Sequence, residues 1–516
     1  MDTHNERVHQ VSQKVKAFYE TKQPFSIYHG STNSTRASNK TKHNTVDISH
    51  LNKVPAVNRE TKTVIVEPNV PMDVLVGATL PHGLIPPVVM EFPGITAGGG
   101  YSGTSGESSS YEYGFFERTV NWVEIILGNG EVVRASADEN EDLFYGAGSC
   151  FGTLGITTLL EIRLIEVPPS PVVELTYFPF SNGVQQGVKL IQDLSSNSSY
   201  KYIDGIVFSK TAGVICAGKI SSAEKTPYQL RTFSRPTDPW FYMRVEAAAR
   251  ASNWGQESPI TDAVPLVDYF FRYDRGGFWV GKYAFEYLLL PQTKFMRWVM
   301  DGITHTRTLY HATHKSGLFR EYTIQDVAVP YAGARDLMEF VDSSFGQYPI
   351  WLCPVRQTFP NTPAQVEQQQ VKMLSERDNI QEKLLNFGIW GPGPKGKGPF
   401  LTFNRSLESL VHKLGGKKWL YARTYYTEEE FWKIYDKDKL DSLREKYHAT
   451  NLPDIYQKVK PMVEDSVGGS GSESASSGKE RKSFGGWLAE RIWHQWPLGG
   501  LYGLYHLLWN RDYLLQ

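Results

Sequence analysis

Over the first third of the chain, apolar and polar residues alternate in short runs separated by turn residues, the pattern of half-buried strands. Thr63–Pro68 (TVIVEP) reads as one strand. Val120–Ser136 (VNWVEIILGNGEVVRAS) reads as a hairpin folded at Gly128-Asn129-Gly130, where Asn-Gly supplies the positive φ of a tight turn. Gly155–Val167 (GITTLLEIRLIEV) alternates again, and Val8–Tyr19 has helical spacing. Pro168, Pro169 and Pro171 then interrupt the chain, so a domain is expected over 1–167 and a second over 168–463. The second mixes strand patterns (VVELTYF at 172–178, IVFSKTAGVICAG at 206–218) with helical ones (AQVEQQQVKMLSERDNIQEKLLNF at 364–387, TEEEFWKIYDKDKLDSLREKY at 427–447). The expected fold class is α+β.

Residues 464–482 have the Gly/Ser-rich composition of a flexible linker. The tail that follows, 483–516, carries Trp487, Trp493, Trp496 and Trp509 among leucines and tyrosines, broken by Pro497 and glycines. It is too interrupted to span a bilayer. Two readings stay open: a peripheral membrane contact, favoured by interfacial Trp and Tyr, or docking on its own domain or on a second subunit.

Composition narrows the class. The protein has 516 residues, 41% hydrophobic and 21% charged, with formal net charge −1, which is globular and gives no basis for nucleic-acid binding. Three scattered cysteines, Cys150, Cys216 and Cys353, make neither a disulfide framework nor a metal site, so no metal is expected. The start, MDTHNERVHQ, is polar and lacks the apolar core of a signal peptide. An intracellular protein is expected, cytoplasmic or peripheral to the endoplasmic reticulum membrane. The 13% aromatic content suits a flat or greasy ligand.

The chemistry-bearing stretch is Ile95–Gly114, ITAGGGYSGTSGESSSYEYG. Gly98–Gly103 fits G-x-G-x-x-G, but Pro93 and Gly94 spoil a strand leading into it, and no Lys-Ser/Thr follows. Rossmann and P-loop sites are therefore set aside. A second small-residue loop, Pro24–Arg36 (PFSIYHGSTNSTR), precedes it. Two such loops joined by strands can grip one diphosphate with backbone N–H groups, since small residues let the backbone come close. The plain alternative for either loop alone is turn geometry.

These loops, the hairpin and Asp142–Ile156 (DLFYGAGSCFGTLGI) resemble the FAD-binding domain of the vanillyl-alcohol oxidase / p-cresol methylhydroxylase (PCMH) type. GTSGESSSYEYGFF (103–116), YPIWLCP (348–354), LYARTYYTEEEFWKIYD (420–436) and LREKYHATNLPDIYQKV (443–459) resemble more closely the Δ24-sterol reductase (24-dehydrocholesterol reductase, Diminuto/Dwarf1) family, over roughly residues 20–460. The resemblance implies a PCMH-type FAD-binding domain followed by an α+β substrate (cap) domain. The membrane-spanning N-terminal segment typical of the animal enzymes is not expected here, given the polar start, and the Trp-rich tail is outside the family pattern.

For the flavin it implies His29, Gly30, Ser31, Thr32, Asn33 and Ser34 in the first loop. It adds Thr96, Ala97, Gly98, Gly99, Gly100, Gly103, Thr104, Gly106, Glu107 and Ser108 in the second, and Gly152, Gly155 and Ile156 beyond. Some relatives link FAD through a histidine; that position falls here on Asn33, so non-covalent FAD is expected. Reduction of an isolated alkene in a sterol or other isoprenoid needs a proton on one carbon and a flavin hydride on the other, in a water-poor slot. NADPH is the expected reductant, visiting the exposed flavin face. Tyr421 is the leading candidate for a polar group near the flavin, with Arg423 or Tyr425 beside it, although a buried tyrosine hydrogen-bonded in the core is the simpler account of it.

Glu107 is expected to bond backbone or ribityl groups, Glu124 to satisfy buried backbone, and Cys353 to be a core thiol. Arg272, Arg275 and Lys282 read as a solvated basic face, with a nicotinamide phosphate as the sharper alternative. Two other functions remain open: an oxidase of an alcohol or secondary metabolite on the same fold, and a non-catalytic flavin- or sterol-binding protein.

Overall fold

The computed structural model describes residues 2–30, 41, 43–310, 321–357 and 383–460. Linker 464–482, tail 483–516 and Ser31–Ser34 of the first loop lie outside them. Helix α1 (Asp2–Glu20) opens the fold and packs Val8, Val11 and Val15 inward. Strands β1 (Ala56–Asn58) and β2 (Thr63–Val66) follow, then the short helix α2 (Ala97–Gly103). The hairpin forms as β3 (Val120–Ile126) and β4 (Val132–Ser136), turning through Gly130 at φ +88°, and β5 (Ile156–Arg163) completes the sheet. Its order is β1-β2-β5-β3-β4, antiparallel throughout.

A second sheet starts at β6 (Pro171–Phe180) and continues with β7 (Tyr202–Val207), β8 (Gly213–Ser222) and β9 (Ile260–Pro265). It then takes in β10 (Tyr322–Pro330), β11 (Ile350–Arg356), β12 (Lys383–Pro392) and the short β13 (Lys417–Lys418). The order is β9-β6-β8-β7-β11-β12-β10-β13, again antiparallel. Helices Val184–Ser195, Ala334–Ser344 and Lys397–Lys413 cover one face of it with Val188, Ile191, Leu337, Val341 and Leu407. The other face shares one continuous core with the first sheet. The architecture is α+β.

Three local expectations change. The glycine stretch is a helix: the Thr96 side chain accepts from Gly99 N and caps it, and tertiary contacts outweigh the poor propensity of Ala-Gly-Gly-Gly. Of the helical pattern over 364–387, residues 364–382 lie outside the described residues, and its end is strand, because Leu384–Ile389 alternates between the two buried faces of the large sheet. The stretch from Thr427 to Tyr447 is two helices, Glu428–Ile434 and Lys437–Lys446. Thr427 and Glu430 form a capping box on the first, and Asp436 starts the second by accepting from Lys439 N.

Candidate active site

Strand alternation decides what enters the site. On β10, Val327 and Val329 pack under the covering helices while Asp326 takes the opposite face. On β12, Leu385, Phe387 and Ile389 go to the helices, and Asn386 and Trp390 join Asp326. Trp351, Cys353 and Val355 of β11 complete this wall. It bounds a cavity of about 540 Å³ whose opposite wall comes from the first region: Met90, Glu91, Phe92, Thr96 and the glycines 98, 99, 103, 106, 152 and 155. Trp419, Tyr421, Gln457 and Lys458 close it from the C-terminal segment.

The cavity has two chemically different ends. At one, Lys458 stands beside Gly152, and Ser26, His29 and Gln457 are further polar residues of the lining. Lys458 Nζ donates to Phe151 O (2.6 Å), putting its ammonium beside the glycine turn. At the other end, Phe92 meets Tyr310 and Trp390 edge-on, with centroids 6.2 and 5.9 Å apart. Asp326 sits there under three donors: the Tyr421 hydroxyl, Asn386 Nδ2 (2.9 Å) and Trp390 Nε1 (3.3 Å). Burial raises the Asp326 carboxyl above the usual range, and these donors offset part of that rise. Burial and the adjacent Asp326 push the Tyr421 hydroxyl well above its ordinary value, so it acts as a donor. Glu91 faces the cavity from the first region; burial, reinforced by the Glu107 carboxylate, pushes it up to about 8.

His29, Thr96, Gly98, Gly99, Gly103, Gly106, Gly152, Gly155, Ile156 and Tyr421 all line this cavity. Of the other described ones, none is in its lining, and Ser31, Thr32, Asn33 and Ser34 lie outside the described residues. Gly30 is exposed at φ +82° beside Ser49. Ala97 is buried under the helix, and Gly100 is held by packing, since a Cβ there would stand 2.5 Å from Met90 Cε. The Thr104 carbonyl accepts from Trp419 Nε1 (2.7 Å). A turn around Tyr421 sends Arg423 to the far side, where its carbonyl accepts from Lys418 Nζ (2.6 Å) and Gln325 Nε2 (3.1 Å).

Glu107 and Ser108 join a buried network. Arg272 Nη2 lies 3.1 Å from Glu107 and 2.8 Å from Asp204 of β7, and Ser108 Oγ bonds the Tyr269 hydroxyl (3.0 Å). One guanidinium between two carboxylates leaves Glu107 raised, chiefly by burial and partly offset by Arg272. Arg272 is 1% exposed and Arg275 2%, which overturns the solvated basic face for both. Glu124 serves side chains rather than backbone, meeting His4 Nε2 (3.1 Å) and Thr158 Oγ1 (2.6 Å). Cys353 is a buried thiol in the cavity wall, pushed up by burial.

The sequence reading missed Glu91, Asp326, Asn386 and Trp390. The signal for the two acids was present: each is a lone carboxylate inside an apolar run, VVMEFP and TIQDVAVP. Such a group is kept at a cost, and functional sites are a common reason.

The residues present fit a flavin dinucleotide, with one change to the expected grip. The amides of Ala97, Gly98, Gly99 and Gly100 are engaged internally, on Val70 O (2.9 Å), Pro68 O (2.8 Å), Thr96 Oγ1 (3.1 Å) and Thr96 O (2.8 Å). The helix is thus locked in place and offers a bare surface rather than free donors. At Gly103 an added Cβ would meet only Phe151, at 4.0 Å, so that edge opens onto the cavity. This is a trough for a long, flat, partly anionic ligand running into an aromatic, acidic pocket.

Residues 5–136 match the family model described as an FAD binding domain, which gives the class, an FAD-binding protein. Its relatives include Delta(24)-sterol reductases. The protein is 28% identical over 423 residues to the Delta(24)-sterol reductase of Homo sapiens, covering 80% of this sequence and 76% of that protein. It is 28% identical over 456 residues to that of Arabidopsis thaliana, covering 81% and 77%. Cytokinin dehydrogenase 4 of Oryza sativa subsp. japonica is 32% identical over 157 residues, 30% of this sequence and 29% of its own.

Proposed function

We propose that the protein is an FAD-dependent, NADPH-using reductase of an isolated C=C bond, of the Δ24 type, in the side chain of a sterol or related isoprenoid. The observation that carries this is the continuous cavity joining the glycine trough of the FAD-type region to an aromatic pocket on the cap sheet. Bound non-covalently, FAD would supply a hydride there. Thr96 and the glycines at 98, 99, 103, 106, 152 and 155 would hold it, with His29 and Lys458 at the polar end. Phe92, Tyr310, Trp351 and Trp390 exclude water and hold the alkene. Tyr421 positions Asp326, and a proton is supplied from the protein.

The protein works inside the cell on a membrane-derived lipid, with tail 483–516 as its peripheral membrane contact. Among the described residues no helix is long and apolar enough to cross a membrane.

The test is anaerobic. Purified protein should be yellow, the colour should leave with the supernatant on acid precipitation, and NADPH should bleach it. A Δ24-unsaturated sterol should then restore the colour as the saturated product appears by mass spectrometry. Protein that stays colourless after soaking with FAD overturns the proposal. So does reduction by an alcohol with peroxide release, which is the oxidase chemistry.

A further inference from the structure

We propose that Glu91 is the acid that protonates the substrate alkene, an inference that rests on the reductase reading above. The carboxyl belongs to Met90-Glu91-Phe92, just ahead of the glycine helix; all three line the cavity, Met90 and Phe92 as buried apolar side chains and Glu91 between them as the carboxyl on that wall. Among the cavity's carboxyls it is the uncommitted one. Asp326 already receives three donors, whereas the Glu91 carboxyl bonds to its own backbone. Its neighbour Phe92 is in edge contact with Tyr310 and Trp390, so the acid stands at the aromatic end of the cavity.

The charged and titratable groups around it explain why it keeps its proton. Glu107, after the glycine helix, and Asp326, on β10, both oppose a second negative charge, and Arg272 offsets them in part. Cys353 of β11 and Tyr421 also feel Glu91, and burial pushes both up, away from ionisation. Burial and these carboxyls hold Glu91 at about 8, so it enters the reaction protonated at neutral pH. Tyr421 is the poorer acid, since its hydroxyl is pushed well above the ordinary phenol and is committed to Asp326.

The step balances. The alkene π pair takes the Glu91 proton to form one C–H bond, leaving a carboxylate and positive charge on the more substituted carbon. Bound reduced flavin would supply the hydride for the second C–H bond. With NADPH as the source of the two electrons and solvent returning the proton to Glu91, the sum would be alkene, NADPH and H⁺ to alkane and NADP⁺. The rings of Phe92, Tyr310 and Trp390 suit the transient cation.

Glu91→Gln keeps the shape and removes the proton. Flavin bleaching by NADPH should be unchanged, while reoxidation by the alkene should slow about 100-fold or more, the scale of a lost general acid. In the flavin-free protein, infrared pH-difference spectra should show a protonated-carboxyl band titrating near pH 8 that the variant lacks. On the wild type alone, alkene-driven reoxidation should fall as pH rises past about 8. Reoxidation of the variant at the wild-type rate overturns the role of Glu91 while leaving the reductase standing. A wild-type profile flat through that pH does the same, and covers the case of a variant that does not fold. A wild type that never reduces the alkene overturns the parent reading instead.

Discussion

The sharpest prediction concerns His4, which ties α1 to the flavin-side sheet. His4 Nδ1 meets Glu67 Oε1 at 2.6 Å and Nε2 meets Glu124 Oε1 at 3.1 Å, while Arg7 Nη2 meets Glu67 at 2.7 Å. The His4 side chain is 4% exposed and Glu67 is fully buried, so solvent screens this cluster little. Hydrogen bonds to Glu124 and Glu67 raise His4 from 6.5 to about 9, against an opposing cost of burial. At about 1.4 kcal/mol per pKa unit, that rise contributes roughly 3 kcal/mol to stability below pH 6.5 and about 2.5 kcal/mol at pH 7. Because the folded value is raised, the contribution is complete below 6.5 and is lost as pH climbs through about 9. Glu67 and Glu124 are held below their usual range by the same bonds, so on the acid side stability is lost as pH falls below about 4.5.

Urea unfolding of the wild type and His4→Gln, followed by tryptophan fluorescence, should show a gap of about 2–3 kcal/mol at pH 6–7 that nearly closes by pH 10. A gap constant across that range would refute the linkage. The effect should also reach the site, because Glu67 leads into Pro68, whose carbonyl holds Gly98 N at 2.8 Å. The variant should bind FAD more weakly at pH 7, as read by fluorescence titration.

Two further substitutions test the packing. Gly98→Ala places a Cβ 2.6 Å from Pro68 Cβ and 3.0 Å from its carbonyl oxygen, so it should cost about 1–3 kcal/mol by urea titration and weaken FAD retention on gel filtration. Arg272→Ala leaves Glu107 and Asp204 buried without their cation and should cost about 3–5 kcal/mol, whereas Arg307→Ala, breaking the exposed pair with Asp73, should cost under about 1 kcal/mol by the same assay. Equal losses at the two arginines would contradict the burial argument.

Local periodicity made the first sheet legible: the Gly128–Gly130 turn, the alternation in Ile156–Arg163 and the helix at the start all form where the pattern places them. Small residues at 96–106 and 152–155 pointed to the trough, since absent side chains are visible in any sequence. What stayed hidden depended on partners far away in sequence. Glu107 reads as a loop acid until Arg272 is found beside it, and Arg272 reads as surface until Asp204 and Tyr269 enclose it. The glycine helix was hidden likewise, because Pro68 and Val70 supply acceptors that local propensity does not reveal.

The way the backbone returns on itself explains why the site cannot be assigned to either sheet alone. After β13 it leaves the large sheet and crosses to the flavin-side region. There Arg444 Nη1 donates to Thr153 O (3.2 Å), Lys458 Nζ to Phe151 O (2.6 Å) and Trp419 Nε1 to Thr104 O (2.7 Å). The acceptors are main-chain carbonyls on or beside the two glycine turns. Side chains from 419–458 thus bind the carbonyls that a surface Gly-rich loop would leave to water, and they hold the trough open against the pocket. A glycine-lined loop is entropically expensive to order, and the sequence distance to these donors means that cost is met only when both sheets have formed. The trough and the acids Glu91 and Asp326 that face it therefore come into register together, as a product of the whole fold.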